Sequence, residues 1–185
     1  VEERVPMGVA EWLGADGGTR QVAHKVLNVM IFVAGCVVFW GACRLITNTD
    51  SPVVVVLSES MYPHFTRGDL LFLWWSEDRP VEAGDIVVYH IHGREPAIPI
   101  VHRVVNAHGG DEGQVLLTKG DNNPVDDRGL YNRGQLWLEP KDVMGRVRGY
   151  VPYVGYAAIV ATDYPAAKFV LVGTLCLLVF LGKDQ

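Results

Sequence analysis

Serine is scarce in this chain, and two of its four serines lie two residues apart where an apolar run ends. In the segment LSESMYP, Ser58 and Ser60 follow four consecutive valines, and Pro63 prevents the segment from continuing as a paired strand. A serine at the end of a strand is presented to solvent, as a nucleophile must be. The same pattern is also typical of a turn whose hydroxyls bond nearby backbone, so a catalytic interpretation requires a base elsewhere in the chain.

A histidine in the middle of another apolar run is the candidate base. In the segment IPIVHRVV, period-2 alternation places His102 on one face of a strand and Arg103 on the other. A half-buried imidazole needs a hydrogen-bond partner, and histidine is the usual base for a serine hydroxyl. The alternative is a structural histidine that is held by hydrogen bonds and takes no part in chemistry.

An acid that orients the imidazole would complete a catalytic triad. The segment KGDNNPVDDRGLY offers three aspartates, which are Asp121, Asp126 and Asp127. Asp126 and Asp127 are neighbours, so in an extended segment they point to opposite faces and only one of them can reach His102. Spacing leaves the choice among the three aspartates open.

Three other interpretations of the same residues are possible. Lys119 could replace His102 as the base that activates the serine. The H-x-H spacing of His90 and His92 occurs in zinc hydrolases, and His102 or His108 would supply a third ligand. The last alternative is a membrane subunit that has no enzymatic activity.

The segment that carries these candidates, residues 51–153, has the pattern of a small all-β domain. Turn signals of Gly, Pro and Asp separate short apolar runs that are rich in β-branched and aromatic residues. The six runs cover residues 52–57, 70–75, 86–91, 98–105, 114–118 and 143–151. The run LLFLWW does not alternate, which predicts that both of its faces are covered, by protein or in part by lipid headgroups.

Apolar segments precede and follow the β domain. Residues 26–43 carry no charge, and with their flanks they are long enough to cross a bilayer of about 30 Å as a helix. We predict a retained transmembrane anchor, and the slight excess of positive charge before it favours a cytosolic N-terminus. The second apolar run, residues 169–182, is short for a span and predicts a helix at an interface or against a partner.

These segments divide the chain into four predicted parts. They are a cytosolic segment over residues 1–25, a transmembrane helix over 26–45, a β domain beyond the membrane over 46–165, and a short apolar helix over 166–185. The formal net charge of −5 offers no basic surface for nucleic acid. All three cysteines fall in the apolar segments, so the β domain is compatible with an oxidising compartment without any disulfide.

Three long motifs, taken together and in order, resemble a known family. LSESMYPHFTRGDLLF, GDIVVYHIHGREPAIPIVHRVV and LTKGDNNPVDDRGLY closely resemble segments of the catalytic subunits of the eukaryotic endoplasmic reticulum signal peptidase complex. The similarity runs from about residue 22 to residue 168. It implies a mainly β, signal-peptidase-like domain with an N-terminal transmembrane helix and a short apolar C-terminal helix. It also implies a membrane-bound serine endopeptidase that removes signal peptides from pre-proteins after small residues.

The resemblance assigns roles to individual residues. It implies that Ser60 is the nucleophile, that His102 is the general base, and that Asp127 is the acid, with Asp121 as its main rival. It also implies an oxyanion hole formed by the Ser58 hydroxyl and the Ser60 backbone N–H. The resemblance calls for no cofactor and no metal.

The same resemblance implies partners and a location. The expected partners are signal peptides, other membrane subunits of a signal peptidase complex and the lipid bilayer, and not nucleic acid. The expected location is the endoplasmic reticulum membrane, with the N-terminus cytosolic and the β domain lumenal; an archaeal plasma membrane is the alternative. The substrate is expected to bind as an added β-strand.

Overall fold

The computed structural model describes residues 17–91, 98–109 and 113–164, together with residues 166, 168–170 and 173–174. The chain divides into two compact units. One unit comprises Val1–Gly41 and Phe169–Gln185, and the other comprises Ala42–Lys168. The predicted C-terminal helix over residues 166–185 lies largely outside the described residues, and its few described positions are helical.

A long helix, α1, covers Gly17–Thr47. Its segment Ala23–Thr47 has a mean hydropathy of 2.2 and is long and apolar enough to cross a membrane by length and composition. Large apolar side chains are exposed along this segment, among them Phe32, Phe39 and Ile46. The helix contains the predicted anchor, and its insertion into a bilayer stays a prediction.

The second unit is built on one antiparallel sheet of six strands in the order β1-β2-β6-β3-β4-β5. The strands are β1 (Val53–Val55), β2 (Leu70–Trp74), β3 (Ile86–Tyr89), β4 (Ile100–His108), β5 (Val115–Lys119) and β6 (Val143–Val151). Each predicted run overlaps one strand, with β4 and β5 extending beyond the C-terminal ends of their runs, so the mainly β fold class is confirmed. Two 3-10 helices, Asp127–Gly129 and Pro140–Asp142, precede β6, and a short helix that the sequence pattern did not predict, α2 (Tyr156–Asp163), follows it.

The described residues of this chain cover only one face of β2, so cover of both faces by this chain is wrong, and cover by lipid headgroups stays a prediction. Leu71 and Leu73 are fully buried, whereas Phe72 is 42% exposed and Trp74 is 40% exposed. The buried face packs on a core cluster that includes Met61. The run LLFLWW fails to alternate because its open face is also apolar, and not because a second protein layer covers that face.

Two hydrophobic clusters cover opposite faces of the central strands. Successive side chains of a strand point to opposite faces, and Val87 belongs to one cluster while Val88 belongs to the other. The cluster that contains Val88 also holds Met61, the residue after Ser60. The cluster that contains Val87 also holds Tyr89 and Tyr131. The core therefore anchors both the serine turn and two tyrosines whose hydroxyls reach the candidate site.

Candidate active site

Ser60 lies in the turn that follows β1, and hydrogen bonds fix its backbone. The Phe65 N–H donates to the carbonyl of Met61 at 3.0 Å, and Met61 itself is 1% exposed. The Asn122 N–H donates to the carbonyl of Ser60 at 2.8 Å, which ties the serine turn to the segment after β5. A buried anchor on one side and a backbone hydrogen bond on the other leave the Ser60 hydroxyl in a defined position.

His102 lies on β4 opposite Val87 and is only 3% exposed. Its Nδ1 is 2.6 Å from Oδ2 of Asp127, and its Nε2 is 3.0 Å from Oγ of Ser60. An ionised carboxylate only accepts hydrogen bonds, so Nδ1 carries the ring proton of the neutral imidazole. Nε2 is then an acceptor for the Ser60 hydroxyl, which is the arrangement that a general base requires.

Asp127 is the aspartate that the structure brings against His102. It begins the 3-10 helix Asp127–Gly129, and its side chain is 1% exposed. Burial by itself would raise the pKa of the carboxyl group, but hydrogen bonds from His102 and Thr118 outweigh burial and hold this pKa below its usual range. The carboxylate is therefore ionised at neutral pH despite its burial.

Asp121 pairs with an arginine and not with His102. Arg103 donates to it through two nitrogens, with Nε 2.9 Å from Oδ1 and Nη2 2.7 Å from Oδ2. The hydrogen bond from Arg103 is the largest influence on the carboxyl group and lowers the pKa of Asp121. The third candidate, Asp126, caps the 3-10 helix by accepting from the Arg128 N–H at 3.2 Å.

Ser58 lies beside the candidate nucleophile. The two hydroxyl oxygens, Oγ of Ser58 and Oγ of Ser60, are 3.1 Å apart. When the Ser60 hydroxyl donates its proton to His102, the hydroxyl that donates in the Ser58–Ser60 pair is that of Ser58. An exposed hydroxyl donor next to the nucleophile is suitably placed to turn toward a developing negative charge.

The described residues give less support to a lysine base or to a zinc site than to the serine–histidine pair. The Nζ of Lys119 donates to the carbonyl of Gly120 at 3.3 Å, and the imidazole of His102 is the base that contacts the Ser60 hydroxyl. Of the residues suggested for zinc, His92 lies outside the described residues, and His108 packs edge-on against Trp137. Within the described parts of the chain, no group of three or more metal-binding side chains is arranged around a common point.

Sequence reasoning missed the polar groups that surround Asp127 and the glycine that lets the segments meet. Thr118 and Tyr89 both donate to Oδ2 of Asp127, at 2.6 and 3.0 Å. A Cβ on Gly120 would lie 2.7 Å from the carbonyl oxygen of Ser60 and 2.9 Å from Nε2 of His102. The available signal was a hydroxyl side chain at the buried end of each apolar strand, in QVLLT and IVVY.

Comparison with known proteins gives a consistent set of relatives, although no protein-family model matches the chain. The chain is 50% identical over 167 residues to the signal peptidase complex catalytic subunit SEC11C of Rattus norvegicus, and the match covers 90% of this chain and 86% of the relative. The subunit of the same name from Homo sapiens is 49% identical over 167 residues with the same coverage. The signal peptidase complex catalytic subunit SEC11 of the fungus Schizophyllum commune is 44% identical over 183 residues, covering 90% of this chain and 94% of the relative.

Proposed function

The chain belongs to the family of signal peptidase complex catalytic subunits, and on that basis we propose that Ser60, His102 and Asp127 form its catalytic triad. The protein is a membrane-bound serine endopeptidase that cleaves signal peptides as part of a signal peptidase complex. The observation that carries the proposed triad is the bridging position of His102. One ring nitrogen is 3.0 Å from the Ser60 hydroxyl and the other is 2.6 Å from the Asp127 carboxylate.

The geometry supports a two-stage acyl transfer. Nε2 of His102 takes the proton of the Ser60 hydroxyl as its oxygen attacks the scissile carbonyl carbon. The proton then passes from Nε2 to the leaving amine when the peptide bond breaks. A water molecule, deprotonated in turn by His102, hydrolyses the acyl group from Ser60 and restores the enzyme.

Charge develops at two places during this reaction, and the site has a group for each. The imidazolium that forms on His102 is stabilised by the buried Asp127 carboxylate, which stays ionised. The oxyanion that forms on the scissile carbonyl would be bound by the Ser58 hydroxyl and the Ser60 backbone N–H. A donor of this kind typically contributes a factor of about 10²–10³ in rate.

The substrate, partners and location extend this proposal. A catalytic subunit of a complex implies other subunits and signal-peptide substrates. We assign α1 as the anchor in the endoplasmic reticulum membrane, with residues 1–25 cytosolic and the β domain lumenal. The edge strand β1 leads directly into the serine turn, which supports a substrate bound as an added strand with small residues before the cut. The residues 166–185 would contact the bilayer or another subunit.

The proposal is tested by pre-protein cleavage with the assembled complex that contains variant chains. Ser60→Ala, His102→Ala and His102→Lys should each reduce kcat by at least about 10³-fold, because nucleophile and base act as one unit. Ser76→Ala and His108→Ala are matched controls, since these residues are not in the triad, and both should cleave normally. Lys119→Ala should also retain activity.

Two results would contradict the proposed nucleophile or the proposed base. Activity that survives Ser60→Ala in a fully assembled complex would mean that another residue is the nucleophile. Activity that survives His102→Ala but disappears with Lys119→Ala would make the lysine the base. The amount of each variant in the purified complex is measured first, so that failure to assemble is not mistaken for loss of chemistry.

A further inference from the structure

Three hydroxyl-bearing residues form a buried cluster around one oxygen of Asp127. Oδ2 of Asp127 is 2.6 Å from Oγ1 of Thr118 and 3.0 Å from the hydroxyl of Tyr89. The hydroxyl of Tyr131 is 2.9 Å from Oγ1 of Thr118. Thr118 and Tyr89 are fully buried, and Tyr131 is 6% exposed. We call Tyr89, Thr118 and Tyr131 the hydroxyl cluster.

The direction of each hydrogen bond in this cluster follows from counting protons. The Thr118 hydroxyl has one proton, and the strongest acceptor within reach is the Asp127 carboxylate. Oγ1 of Thr118 must then accept from Tyr131, whose own oxygen accepts from the Thr118 backbone N–H at 3.0 Å. The backbone of β5 thus orients Tyr131, Tyr131 orients the Thr118 hydroxyl, and that hydroxyl points at Asp127.

Burial keeps the two phenols in the donor state that this arrangement needs. Burial is the largest cause that raises the pKa of Tyr89, and the nearby Asp127 charge raises it further. Burial likewise raises the pKa of Tyr131. Both hydroxyls therefore stay protonated wherever the enzyme is active, and they bring no positive charge to the carboxylate. Hydrogen bonds from neutral groups satisfy the buried oxygen without neutralising it.

We propose that Thr118, oriented by Tyr131, is a positioning residue of the active site that holds Oδ2 of Asp127 against Nδ1 of His102, with Tyr89 as a second donor. This inference rests on the proposed triad and concerns residues outside it. The threonine donates to the same oxygen that the imidazole contacts and favours its ionised form. The Nδ1–H tautomer of His102, and with it the basic Nε2, depends on this placement.

A positioning role and a packing role make different predictions about pH. The kcat/KM for cleavage falls in acid when the His102–Asp127 pair takes up a proton. Donors to the carboxylate oppose this uptake, because they stabilise the state with the greater negative charge on Asp127. Removing one donor should therefore move the acidic limb of the pH profile, which is the fall of kcat/KM at low pH, to higher pH. A loss of packing would lower the amount of active enzyme without moving that limb.

Among the described residues, the titratable groups near the Asp127 carboxylate are His102 on β4, Tyr89 on β3 and Tyr131 after the 3-10 helix. Asp126, the neighbour of Asp127 in the chain, has its side chain on Arg128 and acts on Tyr131. In each variant described below, His102, Asp126 and Asp127 are retained. A shift of the acidic limb therefore reports the missing hydroxyl and not a missing charge.

The experiment measures kcat/KM against pH for a purified pre-protein with the assembled complex. Thr118→Val removes the donor at nearly constant volume, and we expect an approximately tenfold loss at neutral pH, the size of a hydrogen bond to a charged group. The acidic limb should move up by roughly 0.5–1 pH unit. Thr118→Ser keeps the hydroxyl and should restore the wild-type limb. Tyr131→Phe should cause a smaller shift in the same direction.

Three further variants complete the experiment. Thr49→Val is the matched control, because Thr49 is a buried threonine whose hydroxyl donates to the carbonyl of Met144 at 2.7 Å, and its profile should keep the wild-type shape. If Thr118→Val does not assemble, Tyr89→Phe and Tyr131→Phe carry the test. An unshifted acidic limb in these variants overturns the inference. Ser60→Ala, measured in parallel, separates the two failures: an active Ser60→Ala complex would refute the triad itself.

Discussion

Two aspartates, six residues apart on one segment, have opposite environments in this protein. Asp121 is bound by the guanidinium of Arg103 and its side chain is 22% exposed. Asp127 is 1% exposed, and its Oδ2 accepts hydrogen bonds from the imidazole of His102 and from neutral hydroxyls. Both carboxyl groups have a pKa below the usual range, for different reasons.

The difference lies in what each negative charge is able to stabilise. The charge of Asp121 is already balanced by Arg103, so this carboxylate fixes the position of a loop. The neutral hydroxyls around Asp127 satisfy its oxygen while leaving its charge for the imidazolium that the proposed triad would form on His102. The nature of the partner, rather than a low pKa, distinguishes the proposed catalytic acid from the structural one.

The largest expected effect is the loss of activity when Asp127 is replaced by asparagine, because Asp127 and not Asp121 sets the tautomer of His102. Asp127→Asn replaces an oxygen that accepts from Nδ1–H with an amide that is able to donate, and this favours the wrong tautomer of His102. We expect kcat to fall by about 10³–10⁴-fold with little change in KM. Single-turnover cleavage of a pre-protein measures this loss. A variant with a kcat within tenfold of wild type would remove Asp127 from the triad.

A second prediction concerns the glycine next to Asp121. Gly120→Ala would place a Cβ 2.7 Å from the carbonyl oxygen of Ser60 and 2.9 Å from Nε2 of His102, so the serine and the imidazole must separate. A displacement of this size should cost about 10²-fold in kcat. Gly149→Ala, where the added Cβ meets no atom within 4 Å, is the matched control in β6. Equal cleavage rates for the two variants would show that the segment has room to move.

The third prediction tests whether Asp121 acts through Arg103. Asp121→Asn and Arg103→Gln each break the same bidentate pair, and Arg103→Gln also removes a hydrogen bond to the Gly84 carbonyl, so the double variant should be hardly less stable than Arg103→Gln alone. A double-mutant cycle on thermal unfolding of the complex should give a coupling energy of about 1 kcal/mol. The corresponding cycle between Arg103→Gln and Tyr131→Phe, which do not share a partner, should be additive. Additivity within the Asp121–Arg103 pair would contradict the structural role.

The smallest effect is on the acid sensitivity of folding. A carboxyl group whose pKa is lowered in the folded state stabilises the fold above its ordinary pKa, and this stabilisation is lost as the pH falls through the lowered value. Asp121→Asn should therefore lower the melting temperature at neutral pH and flatten its decline between about pH 5 and pH 2. Asp126→Asn is the comparison variant from the same segment. A parallel decline in wild type and Asp121→Asn would refute this linkage.

The sequence was sufficient for the fold and for part of the site, for identifiable physical reasons. Apolar runs rich in β-branched and aromatic residues, separated by turn residues, predicted all six strands, and motif resemblance pointed to Ser60, His102 and Asp127, with Asp121 as the rival acid. The choice between Asp121 and Asp127 depends on whether Arg103 or His102 faces each carboxylate, and alternation along β4 predicts only that these two lie on opposite faces. The hydroxyl cluster was invisible because Thr118 and Tyr89 are also ordinary strand residues. The sequence did not show that this chain leaves one face of β2 open, because apolar residues occupy both faces of the strand.

The most direct test of the triad is to trap the residue that attacks the substrate. A signal-peptide ester is mixed with the assembled complex, the reaction is quenched with acid, and the acylated residue is identified by mass spectrometry. The triad predicts an acyl group on Ser60 in the wild type, and acylation slowed by at least about 10³-fold in His102→Ala. An acyl group on another residue, or equally fast acylation of Ser60 without His102, would contradict the account.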